Sequence, residues 1–393
     1  MKLNSMIYLD NNATTATDPI VVEEMMPYFY HNYGNPSSNS HLFSWKAEEA
    51  VFVARQKVAS VINSLPKEIY FTSGATEGNN MILKGLGLQA NDHIITSNIE
   101  HKCVLESAEF LKRKNNVSVT HLAVNNEGLI GIEEIKASIT ESTKLLSVMY
   151  VNNEIHSIND IEQIGSLCRE KNILFHVDAA QAVGKLKIDV QKSKIDFLTL
   201  SSHKFYGTKG IGAVYIREDI KHLVEPLLHG GGQENNFRSG TLPLPLIVGI
   251  GKATEIAHSI VNSDVELNRI KWLSEKFLKN LTSEIAMKLN GSPIEKRQIG
   301  GLSLVLEGID TGELQFHIPN VCYSRGSACS SGSLSYSYVL KAIGLTPQEA
   351  IGTMRICIGR FNTEEEVSLA SENIVSAVKK LTKSKFHFFK NLI

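Results

Sequence analysis

The chain lacks an excess of charge of either sign, long apolar runs and paired cysteines. Its 393 residues include 40 Lys and Arg and 41 Asp and Glu, for a formal net charge of -1. Duplex nucleic acid requires a basic surface across its phosphates, so this balance argues against direct nucleic-acid binding. No run approaches the roughly 18 apolar residues of a membrane-spanning helix, and residues 1–10 have no signal-peptide pattern. We therefore expect a cytoplasmic protein that binds neither nucleic acid nor membrane.

The five cysteines are widely spaced and form neither a CxxC pair nor a metal-ligand pattern: Cys103, Cys168, Cys322, Cys329 and Cys357. Neither a disulfide framework nor an intrinsic metal site is predicted. Cys329 differs from the others because it lies in a run rich in Ser and Gly, residues 324–333, which is typical of a loop. An exposed thiol on a loop is chemically hazardous unless reactivity is its function. We interpret Cys329 as a nucleophile, with a buried structural cysteine as the alternative.

Short apolar runs alternate with helical patterns in the first half of the chain, which is typical of a mainly parallel sheet in an α/β fold. The predicted strands are residues 69–72, 93–96, 145–151, 173–177, 197–200 and 212–216. In open α/β sheets, ligands bind beyond the carboxyl ends of the strands. Unusual polar residues follow several of these strands, so we expect the functional site at that edge.

The pattern changes after Gly240, where a second domain is predicted. Residues 246–290 are typical of one long amphipathic helix, with Trp272 and Phe277 on its buried side. A strand over residues 302–306 and a helix over residues 364–382 follow. We predict a large domain over residues 16–250, and a small domain formed by residues 1–15 and 251–393.

Three strand ends carry the residues of chemical interest. The first, residues 72–77 (TSGATE), joins a strand to a helix start, where free N–H groups and hydroxyls favour phosphate; a plain N-cap is the alternative. The second is Asp178, an acid that would be largely dehydrated unless a cation such as a protonated heterocyclic nitrogen pairs with it. A carboxylate that caps the next turn is the alternative there.

The third strand end holds Lys204, preceded by Ser201, Ser202 and His203. A lysine in such a pocket loses solvation, its pKa falls, and it can form a Schiff base with an aldehyde. Alone, it would usually be a surface charge. Together with a phosphate-binding turn and a buried Asp, it predicts a site for pyridoxal phosphate.

The whole chain resembles the cysteine desulfurases, fold-type I pyridoxal-phosphate enzymes related to the class-V aminotransferases. The matching segments are residues 8–15 (YLDNNATT), 34–38 (GNPSS), 72–77 (TSGATE), 151–155 (VNNEI), 202–204 (SHK), 229–234 (HGGGQE), 238–241 (RSGT), 326–329 (GSAC) and 359–361 (GRF). The resemblance implies a large α/β domain with a mainly parallel, seven-stranded sheet and a smaller α/β C-terminal domain.

The resemblance also implies roles for matching residues. Lys204 would hold the cofactor aldehyde, Asp178 would pair with the ring nitrogen, and His101 would stack on the ring and handle protons, although a solvated helix-start histidine is the alternative. Arg355 would bind the substrate carboxylate. The remaining implied contacts are to the cofactor phosphate by Ala75, Thr76, Ser201, His203 and, from a second subunit, Thr241, and to the ring oxygen and substrate by Asn153 and Gln181.

The expected activity is conversion of L-cysteine to L-alanine by a homodimer, with the sulfur kept as a persulfide on Cys329. The implied acceptor is an iron–sulfur scaffold protein, to whose cluster Cys329 is a candidate shared ligand. Transfer for tRNA thiolation or DNA sulfur modification is an alternative, as are a selenocysteine lyase, an aminotransferase and a non-catalytic paralogue. The sequence departs from the usual family pattern at His156, Ser202 and Arg325, and in its short C-terminal tail.

Overall fold

The computed structural model describes residues 6–38, 40–325 and 336–390, with side chains described as far as residue 383. Cys329 lies outside the described residues. The strands are β1 (Ile7–Tyr8), β2 (Ile69–Thr72), β3 (His93–Ser97), β4 (Ser118–Leu122), β5 (Thr143–Met149), β6 (Leu174–Asp178), β7 (Phe197–Ser201), β8 (Gly212–Ile216), β9 (Met287–Leu289), β10 (Gly301–Leu306), β11 (Val321–Cys322), β12 (Ser324–Arg325) and β13 (Thr353–Cys357). The α-helices are α1 (Pro19–Met25), α2 (Pro27–Tyr30), α3 (Leu42–Val61), α4 (Ala75–Gly85), α5 (Lys102–Asn115), α6 (Ile132–Ser138), α7 (Ile161–Glu170), α8 (Leu244–Ser263), α9 (Val265–Thr282), α10 (Thr311–His317), α11 (Tyr338–Ala342), α12 (Pro347–Ile351) and α13 (Glu364–Lys390).

A seven-stranded sheet forms the centre of the first half of the chain, in the order β2-β8-β7-β6-β5-β3-β4. The strands from β4 to β7 pair in parallel, whereas β8 runs antiparallel to both β7 and β2. The predicted α/β class with a mainly parallel sheet is confirmed. Strand β4 was not predicted, because its half-exposed sequence at the sheet edge has no apolar run.

The predicted single helix over residues 246–290 is wrong. Helix α8 ends at Ser263, and Asp264 adopts a left-handed conformation (φ 57°) before α9 begins. Asp tolerates this conformation better than most residues, so the break needs no Gly or Pro to mark it. Phe277 is fully buried as expected, but Trp272 is 47% exposed, so its predicted burial is wrong.

Helix α8 is long and apolar enough to cross a membrane by length and composition alone, but ten of its residues are buried and it packs along α1 and α3. It contributes Ala253 and Ala257 to the core beneath the large sheet. This packing accounts for its apolar sequence, because a helix that is covered on most sides is apolar on most sides.

A second core lies around a four-stranded antiparallel sheet of order β12-β13-β10-β9, covered by α9 and α13. Ile7 and Leu9 from the start of the chain belong to this core, and β1 pairs with β11. The domain boundary at residues 250 and 251 stays a prediction.

Candidate active site

The carboxyl ends of the parallel strands surround one cavity of about 650 Å³. Asp178 ends β6, Ser201 ends β7, and His101 follows β3 by four residues. The cavity is lined by ten of the predicted site residues: Ala75, Thr76, His101, Asn153, Asp178, Gln181, Ser201, His203, Lys204 and Arg355. Thr241 is exposed and does not line this cavity in its own chain.

Lys204 reaches the cavity from a short 3₁₀ turn, residues Ser202–Lys204, that directly follows β7. Its Nζ donates hydrogen bonds to the backbone oxygens of Asn12 (2.7 Å) and Ala13 (2.9 Å). Burial, together with the positive charges of Lys185 and Arg355, lowers the pKa of Lys204 to about 8. Part of the Lys204 population is therefore a neutral amine near neutral pH, which is the form that attacks a carbonyl carbon.

Asp178 is a nearly buried carboxylate whose hydrogen-bond donors are amides. Its Oδ2 accepts from Asn79 Nδ2 at 2.7 Å, and its Oδ1 accepts from the backbone N–H of Ala180 at 3.0 Å. Within the described residues, no Lys, Arg or His forms an ion pair with it. A buried anion at a cavity wall is stabilised by a cationic group in the cavity, such as a protonated ring nitrogen.

The start of α4 can hold an anion. Gly74 precedes the helix with φ 151°, a conformation that favours glycine, and no side chain caps the first turn. Gly74, Ala75 and Thr76 line the cavity, and the first N–H groups of a helix have no partner within the helix. Glu77 in this turn accepts from the Ser73 N–H and pairs with Arg238 at 2.9 Å, so its negative charge is compensated.

Both cavity histidines are held neutral. Burial, together with the charge of Lys204, lowers the pKa of His203 to about 4, and its Nδ1 lies 3.1 Å from the Thr14 hydroxyl. Burial lowers the pKa of His101, against the opposing effect of Asp178. A neutral imidazole carries one N–H and one bare nitrogen, so each ring can donate and accept at the same time.

Arg355 extends from β13 into the cavity and ion-pairs with Asp10 at 2.8 Å. It also donates to the backbone oxygen of Asn153 at 3.3 Å, while its buried Nε has no partner in the described part of the chain. Two of the five guanidinium N–H groups have these partners, and the second N–H groups of Nη1 and Nη2 are left as two donors for a carboxylate.

The family of the chain follows from comparison with known proteins. The family model described as aminotransferase class-V matches residues 7–369. A cysteine desulfurase IscS of Rickettsia prowazekii is 45% identical over 379 residues, which cover 95% of this chain and 92% of that protein. A mitosomal cysteine desulfurase of Trachipleistophora hominis is 46% identical over 384 residues, or 95% of this chain and 86% of that protein. The chain belongs to the class-V aminotransferases, among the cysteine desulfurases.

Solved structures agree with this assignment. A NifS-like protein superposes with a TM-score of 0.87 at 35% identity, covering 95% of this chain and 99% of that one. A structure of SspA in complex with cysteine superposes with a TM-score of 0.80 at 37% identity, covering 91% of this chain and 99% of that one. The predicted fold-type I architecture is thus confirmed.

Class-V aminotransferases use pyridoxal phosphate, and the residues present fit it. The uncapped start of α4 suits its phosphate, Asp178 suits its protonated ring nitrogen, and Lys204 suits its aldehyde. These three groups, which the sequence places far apart, line a single cavity.

Sequence reasoning assigned no role to Asn12, although it lies in the segment YLDNNATT. Its backbone oxygen accepts from Lys204 and from Gln181 Nε2 (2.9 Å), and its Oδ1 accepts from the Lys185 ammonium at 3.2 Å. Lys185 also donates to Gln181 Oε1 at 2.9 Å. Because an ammonium only donates, it fixes which end of the Gln181 amide is oxygen. Lys185 was missed because a lysine after a helix-like run is usually a surface charge.

His156, a departure from the usual family pattern, is accommodated by local geometry. It adopts a left-handed conformation (φ 65°), and its buried Nδ1 accepts from Asn12 Nδ2 at 2.8 Å. A Cβ at Gly301 would lie 2.4 Å from the His156 ring, so glycine at position 301 makes room for it. The histidine therefore joins the hydrogen-bond network behind Lys204.

Proposed function

We propose that this desulfurase converts L-cysteine to L-alanine and transfers the sulfur to Cys329. The balanced reaction consumes L-cysteine and the Cys329 thiol and yields L-alanine and the Cys329 persulfide. The observation that carries the proposal is the shared cavity of Lys204, Asp178, His101 and Arg355. When bound there, pyridoxal phosphate supplies an aldehyde for the substrate amine and a ring that withdraws the electron pair released at the α-carbon.

The chain's own residues position cysteine and move its protons. Arg355 binds the substrate carboxylate and so fixes the α-carbon relative to Lys204. Lys204, with a pKa lowered to about 8 by burial, takes and returns protons near neutral pH. Asp178 keeps the ring nitrogen protonated, which maximises the electron-withdrawing effect. His101 is a neutral acid–base group at the same cavity.

The sulfur step requires a thiolate that reaches the substrate sulfur. Cys329 is the candidate by its family motif. The described cysteines are less suited, since burial raises the pKa of Cys103 to about 12 and also raises the pKa of Cys322 and Cys357. The Cys329 thiolate would form the new sulfur–sulfur bond as the carbon–sulfur bond of the substrate breaks.

The reaction is tested with purified protein, pyridoxal phosphate and L-cysteine. Alanine should form in proportion to the cysteine consumed, without a keto-acid requirement. Keto-acid-dependent amino transfer would identify an aminotransferase instead. A much faster reaction with selenocysteine would identify a selenocysteine lyase, and absence of turnover would support a non-catalytic paralogue.

A homodimer is part of the proposal. Large apolar side chains are exposed in α2, in α3 and in the segment between them: Phe29, Tyr30, Tyr33, Leu42, Phe43 and Phe52. The Tyr33 and Phe43 rings lie 5.6 Å apart. Exposed apolar patches of this kind mark protein interfaces. Thr241 is exposed and outside its own chain's cavity, as expected of a residue that serves the partner's phosphate site.

The proposed sulfur acceptor is an iron–sulfur scaffold protein, and the proposed location is the cytoplasm. Family membership supports the acceptor, and the near-zero net charge supports protein rather than nucleic acid as the direct partner. Transfer of ³⁵S from labelled cysteine to a purified scaffold is the test. Preferential transfer to acceptors of tRNA thiolation or DNA sulfur modification would redirect the assignment.

A further inference from the structure

Cys103, in the first turn of α5, is a buried thiol that the proposed reaction does not use. Its Sγ lies 3.0 Å from His101 Nδ1 and 3.1 Å from Asn79 Nδ2. The same Asn79 nitrogen donates to Asp178 Oδ2 at 2.7 Å. A continuous line of side chains therefore joins the carboxylate predicted to pair with the cofactor nitrogen to the histidine predicted to lie on the ring.

The direction of each hydrogen bond in this line is determined. A carboxylate only accepts, so the Asn79 atom facing Asp178 is the amide nitrogen, and its N–H groups point to Asp178 and to Cys103 Sγ. The backbone N–H of Cys103 points at His101 Nδ1 at 3.2 Å. A backbone N–H only donates, so Nδ1 must be the bare nitrogen.

The remaining hydrogen bond in this line joins the Cys103 thiol to His101. Burial raises its pKa to about 12, so it keeps its proton at neutral pH. Its sulfur accepts from Asn79 and from the Thr76 hydroxyl, and its S–H faces the bare Nδ1 of His101. Nδ1 thus receives two donors from one residue, the backbone N–H and the thiol.

We propose that Cys103 is a positioning residue that holds His101 as the neutral tautomer with its proton on Nε2. The consequence for the reaction rests on the proposed function, because His101 then offers an Nε2–H donor to the cavity rather than a bare nitrogen. Protonation of His101 to imidazolium would turn Nδ1 into a donor facing two other donors, so Cys103 also opposes that protonation.

Other groups facing His101 act on the same equilibrium. Asp178 favours the charged ring, whereas Lys204, Lys102 and burial disfavour it. None of these determines which nitrogen carries the proton of the neutral ring. That choice is made by the two donors of Cys103.

The test uses ¹⁵N spectra of histidine-labelled holoenzyme, with His101→Gln to assign the His101 signals. The acidic limb of the kcat/KM profile against pH is measured in parallel. Wild-type His101 should show an unprotonated Nδ1 and a protonated Nε2. In Cys103→Ala, loss of one hydrogen-bond donor should raise the His101 pKa and the acidic limb by roughly half to one pH unit. Cys103→Ser retains a hydroxyl donor and should restore the wild-type values.

Cys168→Ala is the matched control, because Cys168 is also a buried cysteine with a raised pKa, on α7 rather than at the cavity. It should leave the His101 titration unchanged. A wild-type spectrum with the proton on Nδ1, or a Cys103→Ala profile that matches wild type, would overturn the proposal. The ¹⁵N spectra test the tautomer of His101 even if the protein does not turn over cysteine. Absence of turnover would refute the proposed function and not the role of Cys103.

Discussion

Asp10 and Arg355 are 345 positions apart in the chain and form an ion pair of 2.8 Å at the wall of the cavity. Asp10 also accepts from the Ser324 hydroxyl at 2.7 Å. The start of the chain therefore positions the guanidinium that is proposed to bind the substrate. Ile7 and Leu9, just before Asp10, pack in the same core as Met354 and Ile356, the chain neighbours of Arg355.

Arg355→Lys should raise the KM for cysteine about tenfold or more, with a smaller change in kcat. Lysine is a point charge and loses the two-donor geometry that fits a carboxylate, and hydrogen bonds to charged groups contribute about 1.5–3 kcal/mol. Steady-state kinetics measure the effect. Arg269→Lys is the control, since Arg269 pairs with Glu266 on α9 outside the cavity. Equal KM values for both variants would exclude Arg355 from carboxylate binding.

Lys204→Ala should abolish turnover and the visible absorption of the bound cofactor while the far-ultraviolet circular dichroism stays that of the wild type. The reason is that Lys204 is the amine proposed to hold the cofactor aldehyde. Lys187→Ala, which removes an exposed lysine, should retain both properties. Full activity of Lys204→Ala would refute the assignment.

In the wild type, the free energy of unfolding should rise with pH in the alkaline range because of Lys185. Lys185→Met should remove this contribution. Burial lowers the pKa of Lys185 from 10.5 to about 8, so between these values the unfolded chain binds the additional proton. The free energy of unfolding therefore rises as pH increases from about 8 to 10.5, and below pH 8 the cost of burying the charge, about 3 kcal/mol, is present in full. Urea unfolding at several pH values measures it.

The comparison between Lys185→Met and wild type cancels the titration of tyrosines with raised pKa values. The difference contains Lys185 together with its effect on Lys204, whose pKa the charge of Lys185 helps to lower. Lys187→Met should show the wild-type slope. If Lys185→Met also shows the wild-type dependence of unfolding free energy on pH, the pKa of Lys185 is not lowered by burial.

Phe29→Asp should convert the proposed dimer into monomers with weaker cofactor affinity. A charge in an apolar interface is left desolvated and unpaired, which destabilises association. Sedimentation velocity and cofactor titration measure the two effects. Phe316→Asp, on the exposed face of α10, should remain dimeric. A fully active Phe29→Asp monomer would contradict the shared site.

Cys329→Ser should bind pyridoxal phosphate normally but form no persulfide, because only the sulfur step requires this thiol. Mass spectrometry after incubation with ³⁴S-labelled cysteine locates the sulfur. Cys322→Ser serves as the control and should still carry label on Cys329. Label on Cys322 or Cys357 in the Cys329→Ser protein would identify a different nucleophile.

Local sequence determined much of the fold. Strands such as residues 69–72 and 212–216 have their predicted bounds, since short apolar runs between turn signals specify buried strands. The edge strand β4 and the break at Asp264 were missed. A half-exposed strand has no strong pattern, and Asp marks a left-handed position less clearly than glycine does.

The sequence by itself also determined which chemical groups are available: Lys204 and Asp178 lie at strand ends, where a parallel sheet places ligand-binding residues, and the family resemblance implied His101. Only the tertiary structure decided how they are oriented. Packing brings Asn12 to Lys204 and Lys185, which are distant in the sequence. It also sets the orientation of the Cys103 thiol toward His101. Residue types fix which atoms can donate or accept, but only the folded chain brings a given donor within reach of a given acceptor.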